Sequence, residues 1–220
     1  MIELKNVNKY FYRRKKNEIH VINNTSLKLD DTGLVALLGP SGCGKTTLLN
    51  AIGGLDNINS GSIYINGERI SKRSSHSVDR IRNLNIGYIF QDYYLVDDMS
   101  VFDNVALSLK LCGIKNKEEI KKRVNFVLEK VGMYRYRNRA ASMLSGGERQ
   151  RVGIARAIVK DPNIIIADEP TGNLDKITEK EILDIFQKLA HEDGKRVLIV
   201  THSPNVCQMV DKIYDLEKVK

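Results

Sequence analysis

The chain contains no tryptophan, only 6% aromatic residues, four prolines and three cysteines among 220 residues. Cys43, Cys112 and Cys207 stand far apart without a C-x-x-C or Cys/His spacing, which excludes a disulfide scaffold and a thiolate zinc module and reads as reduced thiols. No stretch approaches the roughly 18 consecutive apolar residues of a membrane-spanning helix, and Met1-Ile2-Glu3-Leu4-Lys5 lacks the layout of a signal peptide. Repeats, low-complexity tracts and long heptads are also missing, which argues against solenoids and coiled coils. Acidic residues are the minority: the net charge is +8 and the pI about 9.3, favouring an anionic partner. The cations fall in runs, Arg13 to Lys16, Lys121 to Arg123, and Arg135, Arg137 and Arg139. Nucleic acid and acidic lipid both suit them, and solvated surface charge explains any single run equally well.

What is present is 42% hydrophobic residue, enough for one sizeable core with a subdomain inserted. Residues 1–33 and 61–70 alternate apolar and polar, as in Ser26 to Asp30 and Ser62 to Ile65, and the latter ends at Asn66-Gly67; this predicts a small antiparallel sheet. Arg13 to Lys16 reads as a hairpin tip. Leu34 to Leu38, Ile164 to Ala167 and Val197 to Val200 are instead unbroken aliphatic runs, the pattern of strands buried on both faces of a parallel sheet. Apolar residues at helical spacing predict helices over Lys117 to Val131 and Glu179 to Leu189. Residues 92–159 hold no buried-strand run and read as an α-helical subdomain inserted into an α/β core made of 1–91 and 160–220. Ser71 to Ser77 reads as a loop.

Directly after the first aliphatic run comes Gly39-Pro40-Ser41-Gly42-Cys43-Gly44-Lys45-Thr46-Thr47, and directly after that the helix-like Leu48 to Ile52. Glycines at this spacing let successive backbone N–H groups converge on one anion, and the following helix N-terminus adds roughly half a positive charge. Lys45 then reaches β- and γ-phosphates, and Thr46 is placed to ligand Mg²⁺. The second aliphatic run ends in Asp168 and Glu169, which ligand geometry at the carboxyl edge of an open sheet puts beside this loop; Asp168 suits Mg²⁺ and Glu169 suits a water-polarising base. The third ends in Thr201-His202, placing an imidazole at the same edge to hydrogen-bond the γ-phosphate. Leu144 to Arg151, reading LSGGERQR, opens another helix with two glycines. Ser145 has the makings of an N-cap, but the paired glycines have no evident structural purpose and suggest a second anion site.

These motifs, with Gln91 after Gly87 to Phe90 and Asn173-Leu174-Asp175, stand in the order of the ATP-binding cassette (ABC) ATPases, and the resemblance spans nearly the whole chain. The wording ADEPTGNLD, Ala167 to Asp175, and Ile52 to Asp56, IGGLD, further resembles the branch of macrolide exporters, lipoprotein-release ATPases and bacitracin-type peptide-resistance transporters. The resemblance implies a P-loop NTPase: a RecA-like parallel core, a small N-terminal antiparallel β subdomain and the inserted helical subdomain. It implies ATP and Mg²⁺ as cofactors, with two copies packed head to tail so that Ser145, Gly146, Gly147 and Glu148 of one close on the ATP held by the other. Gln91 would ligand Mg²⁺ or the attacking water and report to Asp92 to Asp98 near a membrane partner, and Asp175 would couple the two sites. Phe11 would stack on adenine, with Tyr10 and Tyr12 as rivals and plain hairpin packing as the alternative.

The implied partners are a second copy and a transmembrane permease, at the cytoplasmic face of the membrane, with no nucleic acid. Family members usually continue past the stretch matching Ile213 to Leu216 into a further hairpin, whereas this sequence stops at Glu217-Lys218-Val219-Lys220. The chain is therefore expected to be either a cassette from a longer cassette-permease polypeptide or a free subunit with a reduced tail. A mechanotransmission ATPase that moves no cargo would look the same in this chain, and the cargo itself is set by membrane segments lying elsewhere.

Overall fold

The computed structural model describes residues 1–29, 32–40, 42–71 and 75–216. Two long antiparallel strands open it, β1 (Ile2–Phe11) and β2 (Ile19–Leu29), paired from Ile2 with Leu29 to Phe11 with Ile19 and interrupted by three register irregularities. The basic run at 13–16 forms the turn between them. After β3 (Gly33–Leu38), which belongs to the second sheet, β4 (Ser60–Ile65) pairs with the other side of β1 and turns back into β5 (Glu68–Arg69). That turn is Asn66-Gly67 with φ of 51° and 81°, the doubly left-handed conformation that asparagine and glycine tolerate best.

The second sheet is wholly parallel. It runs β6 (Ile86–Ile89), β7 (Ile164–Asp168), β8 (Arg196–Val200), β3 and β9 (Lys212–Asp215). Its central strands are buried on both faces, and the side-chain alternation sends each set of residues to a different core. Val35, Leu37, Ile164, Ile166, Leu198 and Val200 pack with the antiparallel sheet and α1 (Lys45–Ile52). Leu34, Ile165, Ala167, Val197 and Ile199 pack against helices on the opposite face. The unbroken aliphatic runs follow from this, because each strand serves two cores at once.

Between β6 and β7 lie α3 (Val101–Leu111), α4 (Lys117–Lys130) and α5 (Gly146–Ile158), with one isolated bridge, Ser100 to Ala140. Each helix has a side-chain cap: Ser100 accepts from Asp103 N, Asn116 from Glu118 and Glu119 N, and Ser145 from Glu148 N. Then α6 (Lys176–His191) links β7 to β8, and α7 (Pro204–Met209) precedes β9.

Three elements lie outside the expectation. The stretch read as a loop over Ser71 to Ser77 is corrected at its end: α2 (Ser75–Asn85) begins at Ser75 and seats Ile81 in the core, while residues 72–74 are outside the described residues. Its periodicity is thin, with only Val78, Ile81 and Leu84 apolar among polar neighbours. Strands β6 and β9 are the sheet's edges and only four residues each, too short to announce themselves. Glu217 to Lys220, where the family comparison departs, also lie outside the described residues.

Candidate active site

The carboxyl ends of β3, β7 and β8 form one edge, and segment 39–44 crosses it between β3 and α1. Gly42 and Gly44 have φ of 79° and 99°. A Cβ at Gly44 would stand 2.8 Å from a methyl of Val21 and 2.9 Å from its carbonyl, so β2 closes tightly on the loop there. At Gly39 a Cβ would meet Cys43 Sγ at 2.5 Å; the cysteine side chain occupies that space, and its backbone N–H donates to Pro40 O at 3.3 Å. Lys45 is buried, and its ammonium donates to the carbonyls of Gly39 and Pro40 at 2.8 and 2.9 Å, lying across the loop. Ser41, part of the expected cradle, is outside the described residues. Thr47 is half-buried on the first turn of α1.

Thr46 and Asp168 meet although 122 residues apart: Thr46 Oγ1 donates to Asp168 Oδ1 at 3.3 Å. Burial pushes the Asp168 carboxyl above its ordinary pKa; the Thr46 hydrogen bond opposes this, Glu169's charge adds to it and Lys45's opposes it. Glu169 has φ of 43°, an unusual conformation for a residue with a side chain and one that concentrates at functional sites. Its N–H donates to Val200 O at 2.9 Å, and its carboxylate lies 3.2 Å from Nδ1 of the largely exposed His202. Among the described residues no three His, Cys, Asp or Glu side chains converge as a metal cluster. Thr46 and Asp168 instead offer a hydroxyl and a carboxylate, hard oxygen donors that fit Mg²⁺, an ion that keeps waters and phosphate oxygens in its remaining positions.

Gln91 is exposed just beyond β6 and lines a cleft of about 680 Å³ shared with Thr46, Asp168, Phe90, Tyr94 and Arg156. The cleft thus joins the Thr46–Asp168 pair to the chain segment leading into the helices.

The second glycine pair sits elsewhere. Ser145 caps α5 in a reciprocal box: Ser145 N donates to Glu148 Oε2 at 2.8 Å, and Glu148 N to Ser145 Oγ at 3.3 Å. The N–H groups of Gly146 and Gly147 have no acceptor among the described residues, as first-turn donors do without a ligand or solvent. Asp175 caps α6, accepting from Ile177 N, Thr178 N and Thr178 Oγ1 at 3.0, 3.1 and 2.6 Å, and the Thr178 bonds hold its carboxyl below the usual range. A Cβ on Gly147 would lie 2.4 Å from Thr178 Cγ2. Gly147 therefore has a structural purpose that the sequence does not reveal: it lets the two capped turns touch. Among the described residues no hydrogen bond or ion pair joins these turns to the Lys45–Asp168 group.

Phe11 ends β1, 38% exposed, with Lys9 Nζ 5.1 Å from its ring centroid. Tyr10 is stacked on His20 at 3.9 Å, and Tyr12 is more exposed, with φ of 53°. Val21, pressed on the loop, and Tyr93, whose hydroxyl would be 3.3 Å from a Cβ on Gly146, carry no motif signal and were not legible in the sequence.

The ABC transporter family model matches residues 22–172. The chain belongs to the ABC transporter family. It is 40% identical to the lipoprotein-releasing system ATP-binding protein LolD of Francisella tularensis, over 98% of this chain and 93% of that protein. It is 38% identical to the macrolide export ATP-binding/permease protein MacB of Syntrophobacter fumaroxidans, over 97% of this chain but 30% of that longer protein. In three dimensions this ABC cassette resembles the dimeric ABC transporter cassette MJ0796, a protein of Methanocaldococcus jannaschii, with a TM-score of 0.90 and 38% identity over 98% of this chain and 94% of that one. It matches equally well, with a TM-score of 0.90, the dimeric post-hydrolysis state of the same cassette bound to ADP and Pi.

Proposed function

We propose that this cassette hydrolyses ATP with Mg²⁺ between two head-to-tail copies and so drives a transmembrane permease of the export or lipoprotein-release kind. The observation that carries the reading is the separation of its polar machinery. Lys45, Thr46, Asp168, Glu169 and His202 gather at one sheet edge, while Ser145, Gly146, Gly147, Glu148 and Asp175 form a surface whose side chains bond locally, with no bond to that edge among the described residues. A site made of both halves needs a second copy, and the solved relative MJ0796 is a dimer.

In this reading segment 39–47, with Pro40 fixing the turn and the N–H groups of Gly39, Ser41, Gly42, Cys43, Gly44, Lys45, Thr46 and Thr47 as donors, cradles the phosphates at the start of α1. Lys45 exchanges its two loop carbonyls for β- and γ-phosphate oxygens. Thr46 and Asp168 hold Mg²⁺, with Gln91 approaching from the cleft. Bound Mg²⁺ supplies neutralisation of charge on the phosphate oxygens. Glu169 orients the attacking water and takes its proton, and His202, 3.2 Å from its carboxylate, positions it and contacts the γ-phosphate. Phe11 stacks on adenine; Tyr10 is already engaged by His20, which favours Phe11. The partner copy's Ser145 turn presents its free N–H groups to the γ-phosphate, and Asp175 lies at the same interface.

Residues 92–159 then act as the signature-bearing lever against a core of 1–91 and 160–220. No helix of the described residues is long and apolar enough to cross a membrane. The permease, separate or fused, would dock at the cleft, where Leu55 and Tyr94 are exposed, and hold the cassette at the cytoplasmic face.

Glu169→Gln tests the reading. Turnover should fall by about 10²- to 10⁴-fold, the usual contribution of a general base, with ATP binding kept and a dimer trapped. Sedimentation of this variant as a monomer at saturating ATP and Mg²⁺, at every concentration tried, would sink it.

A further inference from the structure

Gln150 is fully buried on α5, and neither its side-chain oxygen nor its nitrogen has a hydrogen-bond partner. Among the described residues it is the only buried side chain in this condition. Native interiors rarely leave an amide so, because the desolvation is uncompensated. Asn104, equally buried in the neighbouring helix, shows the normal outcome: it accepts from Val96 N and donates to the carbonyls of Val96, Met99 and Ser100.

The segment after Gln91 crosses α5 at this point. Gln150, Gly153 and Arg156 are successive i, i+3 neighbours, and a Cβ on Gly153 would lie 4.0 Å from both Gln150 Oε1 and the carbonyl oxygen of Tyr93. Arg156 donates to Tyr93 O at 2.5 Å and also to Tyr94 O. It has no carboxylate partner among the described residues, and burial draws its pKa down. The two residues it grips are strained: Tyr93 and Tyr94 are consecutive non-glycine residues with φ of 61° and 46°. A guanidinium thus holds an unfavourable turn, nearly two helical turns along α5 from an amide with nothing to hold.

We propose that α5 carries a two-position latch, in which Arg156 retains the 93–94 turn as it stands here and Gln150 receives it in a second position taken when Gln91 engages nucleotide. The proposal rests on the reading of Gln91 above. A flip of the Tyr93–Tyr94 peptide takes Tyr94 out of the left-handed region and replaces the Tyr93 carbonyl facing α5 with the Tyr94 N–H. That N–H now contacts Asp92 O at 2.6 Å; after the flip, Gln150 Oε1 is the acceptor available for it. Gln150 and Arg156 are positioning residues. They would link the cleft holding Gln91 to the helix whose first turn is the Ser145 surface.

The test uses the Glu169→Gln chain with ATP and Mg²⁺, comparing Gln150→Met and Arg156→Lys. Removing an amide that is unpaired without nucleotide but paired in the closed dimer should raise the nucleotide-free Tm by about 2–4 °C. It should also weaken dimerisation about tenfold. Arg156→Lys, which cannot span both carbonyls, should do the reverse, lowering the nucleotide-free Tm and tightening the dimer. A purely structural role would move both variants in the same direction. Dimerisation of Gln150→Met within about twofold of the parent, or both variants shifting it the same way, overturns the latch. Should Gln150→Met fail to fold, the sign of Arg156→Lys alone decides. A parent that binds no ATP or never pairs overturns the underlying reading, and is told apart because the parent fails before any latch variant is made.

Discussion

The edge formed by β3, β7 and β8 and the surface formed by the first turns of α5 and α6 both present polar groups around glycines, yet they solve the problem in opposite ways. At the sheet edge, side chains reach across the fold: Thr46 to Asp168 over 122 residues, Glu169 to His202 between adjacent strands, and Lys45 back over its own loop. Charges there are buried, one carboxyl has a raised pKa and one residue is held left-handed. At the helix ends every side chain closes within three residues, Ser145 with Glu148 and Asp175 with Thr178. The first edge carries an electrostatic cost, the desolvated Asp168 carboxylate beside Glu169. The second is relaxed, its side chains capping their own helices, and offers backbone donors outward. Polar groups that meet at a buried sheet edge are held with electrostatic tension, whereas those that close on their own helix turn are held without it.

The largest effect should come from breaking the first half alone. Lys45→Ala removes the cation from the loop, leaving the Gly39 carbonyl without the ammonium donor and the Pro40 carbonyl with the Cys43 N–H alone. ATP affinity measured by calorimetry should fall about 100-fold, the loss expected for strong charge-assisted hydrogen bonds to phosphate. Ser145→Ala should leave binding to the isolated chain within about threefold while costing about 1 kcal/mol of helix stability, as a lost N-cap does. Equal losses of affinity in the two variants would erase the distinction between the halves.

A smaller effect sharpens the second half. Gly147→Ala places a methyl 2.4 Å from Thr178 Cγ2 and should lower ATPase activity about tenfold by parting the two turns, since overpacking costs ~1–3 kcal/mol. Thr178→Ser removes that methyl and keeps the hydroxyl that bonds Asp175. If Gly147 is there for packing, the double variant recovers most activity. If it is there so that a phosphate can approach, the double variant stays inactive.

That question is invisible in the sequence, because Gly147 and Thr178 meet only through the packing of α5 on α6. The sheet edge of the candidate site was legible for the contrary reason. A strand buried on both faces must be aliphatic without interruption, so the polar residues after Leu38, Ala167 and Val200 mark where each strand leaves the core, and all three leave on the same side. The Asn66-Gly67 hairpin was legible from turn chemistry alone. Edge strands β6 and β9 were not, since four residues with one protected side carry no period, and α2 was masked by its polar composition. Gln150 looks in sequence like any glutamine beside two arginines; only its burial separates it from Arg149 and Arg151, which find Asp97 and Glu181.

The smallest effect tests the tension itself. Burial is the leading reason that the Asp168 pKa is raised, so at neutral pH its charge opposes folding, and the cost disappears as pH falls below the folded-state pKa. Asp168→Asn removes the charge but keeps an oxygen to accept from Thr46. Without nucleotide the variant should melt about 2–4 °C higher at pH 7, the shift that ~1 kcal/mol produces in a chain of this length. The gain should shrink as the pH falls below the raised folded-state pKa and vanish below the ordinary carboxylate range, where folded and unfolded chains are both protonated. Mg²⁺-dependent hydrolysis should be lost over the same substitution, because the oxygen that remains is neutral. A variant that melts lower at pH 7 would mean that Lys45 and Thr46 already compensate the buried carboxylate. The sheet edge would then be as relaxed before nucleotide arrives as the capped turns of α5 and α6.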